Sequence, residues 1–249
     1  MNHRYLVHLA YHGAPFHGWQ KQPNALSVQQ LLEEGFSTVL RQKIELTGCG
    51  RTDTGVHARD FYAHFDLNIV YSQEFLDQLC FKMNRFFPTS VVIFRIFEVP
   101  IDLHARFSAV SRAYRYYLNR QKDPFTTDQA FYLFGNLDVD LMNQACEVLK
   151  QHRDFSCFSK SNTQTKTNNC IITEAYWDQT DSQLIFFVKA DRFLRNMVRA
   201  IVGTMIEIGQ HKLSLEGFQN ILERKNRSLA GESVPPQGLF LEKVEYREL

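Results

Sequence analysis

The sequence predicts an α+β protein made of two similar strand–helix halves, and three observations carry that expectation. Phe61, Ala63, Phe65 and Leu67 alternate with other residues, the period of a half-buried strand, whereas Val28, Leu31, Leu32, Phe36 and Val39 recur at helical spacing. The first half reads strand–helix–strand–strand–helix–strand, and the second echoes that order coarsely without a residue-level repeat. Strands followed by helices, with hairpins between, favour mainly antiparallel pairing. The expected architecture is a mixed, mainly antiparallel sheet with helices on one side and a basic central cleft. An N-terminal subdomain is placed at 1–105 and a C-terminal one at 106–249, with the boundary near Pro100 to Ser108.

The elements follow in order. Arg4 to Tyr11 reads as a strand. Ser27, with Gln30 three residues on, is a helix start signal. Ile44 to Thr47 reads as a short strand and Phe61 to Leu67 as an alternating one, followed by a helix over Ser72 to Arg85 and a strand over Ser90 to Val99. In the second half, Arg112 to Asn119 is a strand and Val139 to Gln151 a helix. Ile171 to Gln179 and Gln183 to Ala190 pair as a hairpin. Helices are expected over Phe193 to Gly209 and Leu215 to Glu223, and a last strand over Gly238 to Tyr246. Ser159 to Asn169 is the longest polar stretch and reads as an exposed loop.

Composition narrows the function classes. The chain has 249 residues, 44% hydrophobic and 22% charged, which is ordinary for a soluble domain able to bury a core. Five cysteines, none in a CxxC and none beside paired histidines, argue for reduced thiols and against a zinc site. The first residues lack a signal-peptide pattern, and no apolar run approaches the roughly 18 residues of a membrane span, so a cytoplasmic, membrane-free protein is expected. The net charge of +1 does not announce a nucleic-acid binder. Its distribution says more: His104 to Lys122 holds five bases and no acid, and Lys189 to Arg199 holds four bases and one acid. Such segments build a positive groove or form solvated faces.

The segment with most chemistry is Gly48 to Ala58, GCGRTDTGVHA. Glycines permit turns closed to other residues and close approach of a ligand. A loop of this kind presents Asp53 into a cleft as nucleophile or base, or it is an ordinary Asp turn between strands. Aspartyl-phosphate chemistry fits poorly, because it needs Mg²⁺ and neighbouring acids, and the next acid is Asp60. Tyr114 shares a strand face with Arg112 and Tyr116 and serves as a stacking ring or a core aromatic. Arg192, Arg195 and Arg199 fall on one expected helical stripe, with Leu194, Met197, Val198, Ile201 and Met205 opposite. Of the 28 bases 17 are Arg, which suits forked phosphate contacts.

GRTDTGVHA resembles the signature loop of the TruA family of tRNA pseudouridine synthases. The similarity continues in order: Tyr11 with Gly13, Gly18-Trp19-Gln20, Ser27-Val28-Gln29, His104 to Ser108, Arg112 to Tyr116, Asp154-Phe155, Met197-Val198-Arg199, Ile201-Val202-Gly203, Gly238-Leu239, and Val244 with Tyr246. The resemblance implies isomerisation of uridine on the 3′ side of the anticodon stem-loop, with tRNA as partner, a homodimeric assembly, and no cofactor or metal. It implies that Asp53 is the nucleophile, that Arg51 helps push the uridine out, that Tyr114 stacks on the flipped base and takes part in proton transfer, and that Arg199 pairs with Asp53. It implies tRNA contacts at Leu103, His104, Ala105, Arg106 and Phe107, and at Asn162, Thr163, Gln164, Thr165 and Lys166. A non-catalytic RNA-binding module or chaperone of the same fold is the alternative. The chain departs from the family at Thr54, where Ala is common, at Cys49, where a small residue is usual, at His12, which replaces an Asp, and at Tyr71, where some members carry a flipping Arg.

Overall fold

The computed structural model describes residues 2–160 and 167–247. The chain forms two compact units, Met1–Val110 with Phe240–Leu249, and Ser111–Leu239. Their described residues fold into mixed, mostly antiparallel sheets with five helices, the α+β class expected.

The first unit holds β1 (His3–Tyr11), α1 (Val28–Leu40), β2 (Thr47–Gly48), β3 (His57–Leu67), α2 (Gln73–Phe86), β4 (Val91–Val99) and nearly all of β9 (Leu239–Tyr246). β1 lies between β4 and β3, antiparallel to both; β2 runs antiparallel to β3, and β9 runs parallel to β3. The helix starts follow the chemistry of the sequence. The Ser27 side chain accepts from the Gln30 N–H, and Ser72 from the Phe75 N–H, each satisfying one of the amides a helix start leaves open. Tyr5, Val7 and Leu9 of β1, Phe61 and Phe65 of β3, Leu32 and Phe36 of α1, and Leu76, Leu79 and Met83 of α2 are buried. Phe36 meets Phe65 at 5.5 Å between ring centroids. Burial of each such side chain contributes roughly 1.5–3 kcal/mol before entropy is counted.

The second unit holds most of β5 (Ala109–Asn119), then β6 (Phe131–Tyr132), α3 (Val139–Gln151), β7 (Ile172–Gln179), β8 (Gln183–Ala190), α4 (Met197–Gly209) and α5 (Leu215–Arg224). β8 pairs antiparallel with β5 and β7, and β6 pairs parallel with β5. The likeness of the halves lies in these pairings. β1–β3–β2 and β5–β8–β7 follow one scheme, with a helix between the first and second strand of each set. α4 is buried on nearly every side, and Asp138 and Ser214 cap α3 and α5 as Ser27 caps α1. Among the described residues no helix is long and apolar enough to cross a membrane.

Two expectations are corrected. Ile44 to Leu46 form no strand, and β2 begins at Thr47. Their polar backbone groups are satisfied by α1 instead: Ile44 N–H donates to Ser37, Leu46 N–H to Glu33, and the Leu46 carbonyl accepts from Gln29. The helix expected from Phe193 starts at Met197, because Asn196 sits at φ 66, the left-handed region that Asn tolerates better than most residues. Arg192 and Arg195 therefore precede the helix and do not form a stripe with Arg199. The two-residue β6 had no alternation long enough to read.

The segment 230–235 crosses α4 closely. A Cβ on Gly203 would stand 1.7 Å from the Glu232 carbonyl oxygen, whereas one on Gly50 would meet nothing within 4 Å. Gly203→Ala should therefore cost roughly 1–3 kcal/mol in urea unfolding, and Gly50→Ala should stay within about 0.5 kcal/mol of the parent. Equal midpoints for the two variants would refute this crossing.

Candidate active site

The Asp53 loop connects β2 to β3 and is fixed by the segment that follows β1. Trp19 N–H donates to the Thr52 carbonyl at 3.2 Å, and Gly55 N–H to the Phe16 carbonyl at 3.3 Å. The approach of the two backbones requires glycine. A Cβ on Gly18, itself at φ 82, would lie 2.5 Å from the Thr52 oxygen, and one on Gly13 would lie 2.0 Å from the Val56 oxygen. Val56 N–H donates to the Asp53 carbonyl at 3.1 Å, closing a four-residue turn whose third residue, Gly55, has φ 76. Positive φ at that position is the requirement of a type II turn. Asp53 is thus half-buried at the start of a tight turn, flanked by exposed Arg51 and Thr54 and by buried Thr52 and Val56. Cys49 is buried, and its sulfur accepts from the Tyr62 N–H, so this departure from the family pattern fills a packed site.

In the second unit Tyr114 lies on β5, opposite Val188 of β8. It is half-buried, and its ring meets Phe193 edge-on at 5.0 Å. Tyr116, on the same strand face, is the core aromatic: it is fully buried and its hydroxyl donates to the Pro235 carbonyl. Burial, only partly countered by the Arg199 charge, pushes the Tyr116 hydroxyl far above its ordinary range, so it stays protonated. Arg199 lies in the first turn of α4. Its Nε donates to the Val234 carbonyl at 2.8 Å, and its own carbonyl accepts from the Val234 N–H. The segment carrying Val234 is tied down by Asn196 and Arg227, both bonded to the Ser233 hydroxyl, and by Gly231 N–H to Thr204. Sequence reasoning missed this strap, since its contacts to Asn196 and to α4 join residues 27 or more apart with no periodic signal.

The segment 103–108 forms a compact turn in the first unit. Leu103 and Ala105 are buried and act as its anchors: the Leu103 carbonyl accepts from Arg4, Ala105 N–H donates to His64 Nδ1, and the Ala105 carbonyl accepts from the Tyr246 hydroxyl. His104 is half-buried, and its Nδ1 accepts from the Arg106 and Phe107 N–H groups. Arg106 and Phe107 face solvent, Phe107 at 76% exposure, and the Arg106 guanidinium lies over its ring. Asn162, Thr163, Gln164, Thr165 and Lys166 lie outside the described residues. Tyr71 stacks on Phe75 at 4.2 Å. The cysteines are unbridged, and burial pushes the thiols of Cys146, Cys157 and Cys170 up to about 12, which keeps them protonated.

Residues 145–247 fit the profile of a family described as tRNA pseudouridine synthase. Relatives named tRNA pseudouridine synthase A share nearly the whole chain. The protein from Porphyromonas gingivalis is 48% identical over 98% of this chain and 97% of its own. That from Parabacteroides distasonis is 46% identical over 98% and 96%, and that from Clostridium acetobutylicum 37% identical over 96% and 97%. The chain belongs to the TruA family of tRNA pseudouridine synthases.

The anchor of the 103–108 turn is sensitive to acid. Burial, reinforced by the Arg4 charge, lowers the His64 pKa from 6.5 to about 4, so the imidazole is neutral and can accept from Ala105. The unfolded chain binds a proton at His64 that the folded chain does not, throughout the interval between those values. This contribution to stability is complete above pH 6.5 and is lost as pH falls toward 4. Between about pH 7 and pH 5 the urea midpoint should fall more steeply for the parent than for His64→Asn. Parallel pH profiles would remove His64 as the sensitive group.

Proposed function

We propose that this protein isomerises uridine to pseudouridine in tRNA, at uridines on the 3′ side of the anticodon stem-loop, with Asp53 as nucleophile. The observation that carries the reading is the Asp53 turn, a carboxylate held on a backbone with little freedom, in a chain nearly half identical to proteins named for this activity. A carboxylate placed in this way attacks either the ribose C1′ or the uracil C6. The glycosidic C–N bond breaks, the base turns, a C–C bond forms between C5 and C1′, the C5 proton passes to solvent, and N1 takes up a proton as the carboxylate is released. Nothing is oxidised or hydrolysed, so the chemistry requires no cofactor or metal.

The other roles follow from the family resemblance and suit the residue types. A base in a stem must be extruded at a cost of a few kcal/mol, and an aromatic face returns roughly 1–3 kcal/mol by stacking. Arg51 assists extrusion, Tyr114 supplies the ring and a hydroxyl for proton transfer, and Arg199 is the cation paired with Asp53. Arg106, Phe107 and His104 contact RNA on the turn that Leu103 and Ala105 anchor, and 162–166 contact it as well. The working form is a homodimer in the cytoplasm. A non-catalytic RNA-binding module is disfavoured because Arg51, Asp53, Tyr114 and Arg199 are all retained.

Anticodon-arm RNA carrying tritium at uracil C5 tests the chemistry. The parent should release tritium to water, and Asp53→Ala should release none while binding the RNA with similar affinity. Tritium release by Asp53→Ala would overturn the assignment of the nucleophile. Arg106→Ala should weaken RNA binding and reduce the slope of log affinity against log salt by roughly one. An unchanged slope would place Arg106 away from the phosphates.

A further inference from the structure

The residue directly before Asp53 is bonded to a side chain that takes no part in the proposed chemistry. Thr52, which directly precedes Asp53, is 8% exposed, and its hydroxyl is hydrogen-bonded to the Tyr11 hydroxyl at 2.9 Å. Tyr11 closes β1 and is 3% exposed. Its ring meets Phe61 edge-on at 5.4 Å and lies 6.3 Å from Trp19. Trp19 in turn stacks on Phe61 at 4.1 Å, donates its backbone N–H to the Thr52 carbonyl, and presses its ring on Gly48, where a Cβ would come within 2.5 Å of the indole. Thr52 is therefore held at two points, its carbonyl by Trp19 and its hydroxyl by Tyr11. After Asp53 the chain is held again, by the Val56-to-Asp53 turn and by Gly55 on Phe16.

These holds differ in kind. The backbone bonds and the glycine contacts fix where the loop lies. The hydroxyl pair fixes the Thr52 side chain, and with it the position of the Thr52 Cα from which the peptide leading into Asp53 departs, because it ties that side chain to a buried ring. A buried hydroxyl pair is also hard to exchange for water, since separating it leaves polar atoms in an apolar site. We infer that Tyr11 is a positioning residue, whose hydroxyl acts through Thr52 to aim the Asp53 carboxylate. This inference rests on the reading of Asp53 as nucleophile. Reacting groups held near the attack geometry gain large rate factors, and a displacement of about 1 Å costs up to roughly a hundredfold. The effect should therefore appear in the rate of the chemical step and leave RNA affinity alone.

The experiment measures single-turnover tritium release at saturating enzyme, RNA affinity at fixed salt, and melting temperature, for the parent and for Tyr11→Phe, Thr52→Val, Thr52→Ser and the Tyr11→Phe/Thr52→Val double variant. Tyr11→Phe and Thr52→Val should each slow the reaction roughly ten- to hundredfold with RNA affinity within about twofold. The double variant should be no slower than the slower single one, because both remove the same bond. Thr52→Ser, which keeps the hydroxyl, should retain most of the rate. A Tyr11→Phe enzyme at the parental rate overturns the inference. So do losses that multiply in the double variant, and so does failure of both single variants to fold, which would make the bond structural only. A parent that releases no tritium instead refutes the proposed reaction and is a separate outcome.

Discussion

The close passage of two backbone segments, 12–19 and 52–56, is the constraint on which the rest of the first unit's site depends. Two carbonyls, of Thr52 and Val56, come within 2.5 Å of where side chains would begin on Gly18 and Gly13, and no other residue type fits there. The contact converts a surface connection between strands into a fixed platform. A loop ordinarily fluctuates because its backbone bonds go to water. Here they go to a neighbouring segment that is itself anchored by Trp19 and Phe16, each 2% exposed.

A similar device recurs in the second unit with different chemistry. The Arg199 guanidinium and backbone are both bonded to Val234, on a strap that crosses α4 where Gly203 leaves room. An arginine side chain has many rotamers, and ordering one costs entropy. With Nε bonded to Val234, that cost is met on folding. Tyr114 gains a comparable restriction from Phe193, while Tyr116 two residues on is consumed by the core. The two tyrosines share a strand face but differ in burial because their surroundings differ.

The 103–108 turn separates anchoring from presentation. Leu103 and Ala105 turn inward and are held by Arg4, His64 and Tyr246, which leaves Arg106 and Phe107 in solvent on a rigid base. Arg4 is in turn bound by the Asp66 carboxylate, whose pKa the guanidinium lowers. The neutral state of His64 belongs to the same arrangement, because a protonated imidazole could not accept the Ala105 amide.

The sequence by itself determined what short-range physics records. Helix starts at Ser27 and Ser72 were readable because a hydroxyl reaches only three residues along the chain. The alternation of Phe61, Ala63, Phe65 and Leu67 was readable because a strand shows one face to the core. The Asp53 loop was readable because glycines crowd around one acid. Periodicity misplaced the start of α4, since it could not register the left-handed Asn196 that ends the irregular approach to the helix. It also took Ile44 to Leu46 for a strand, because burial was visible but the destination of their backbone bonds was not. Only the tertiary structure decided that Thr52 bonds to Tyr11, that Val234 holds Arg199, and that Leu103 and Ala105 anchor the 103–108 turn. Each of these contacts joins residues at least 35 positions apart. The physical reason is that such contacts arise when separate elements pack side by side, and no local repeat in the chain encodes which residues will then face one another.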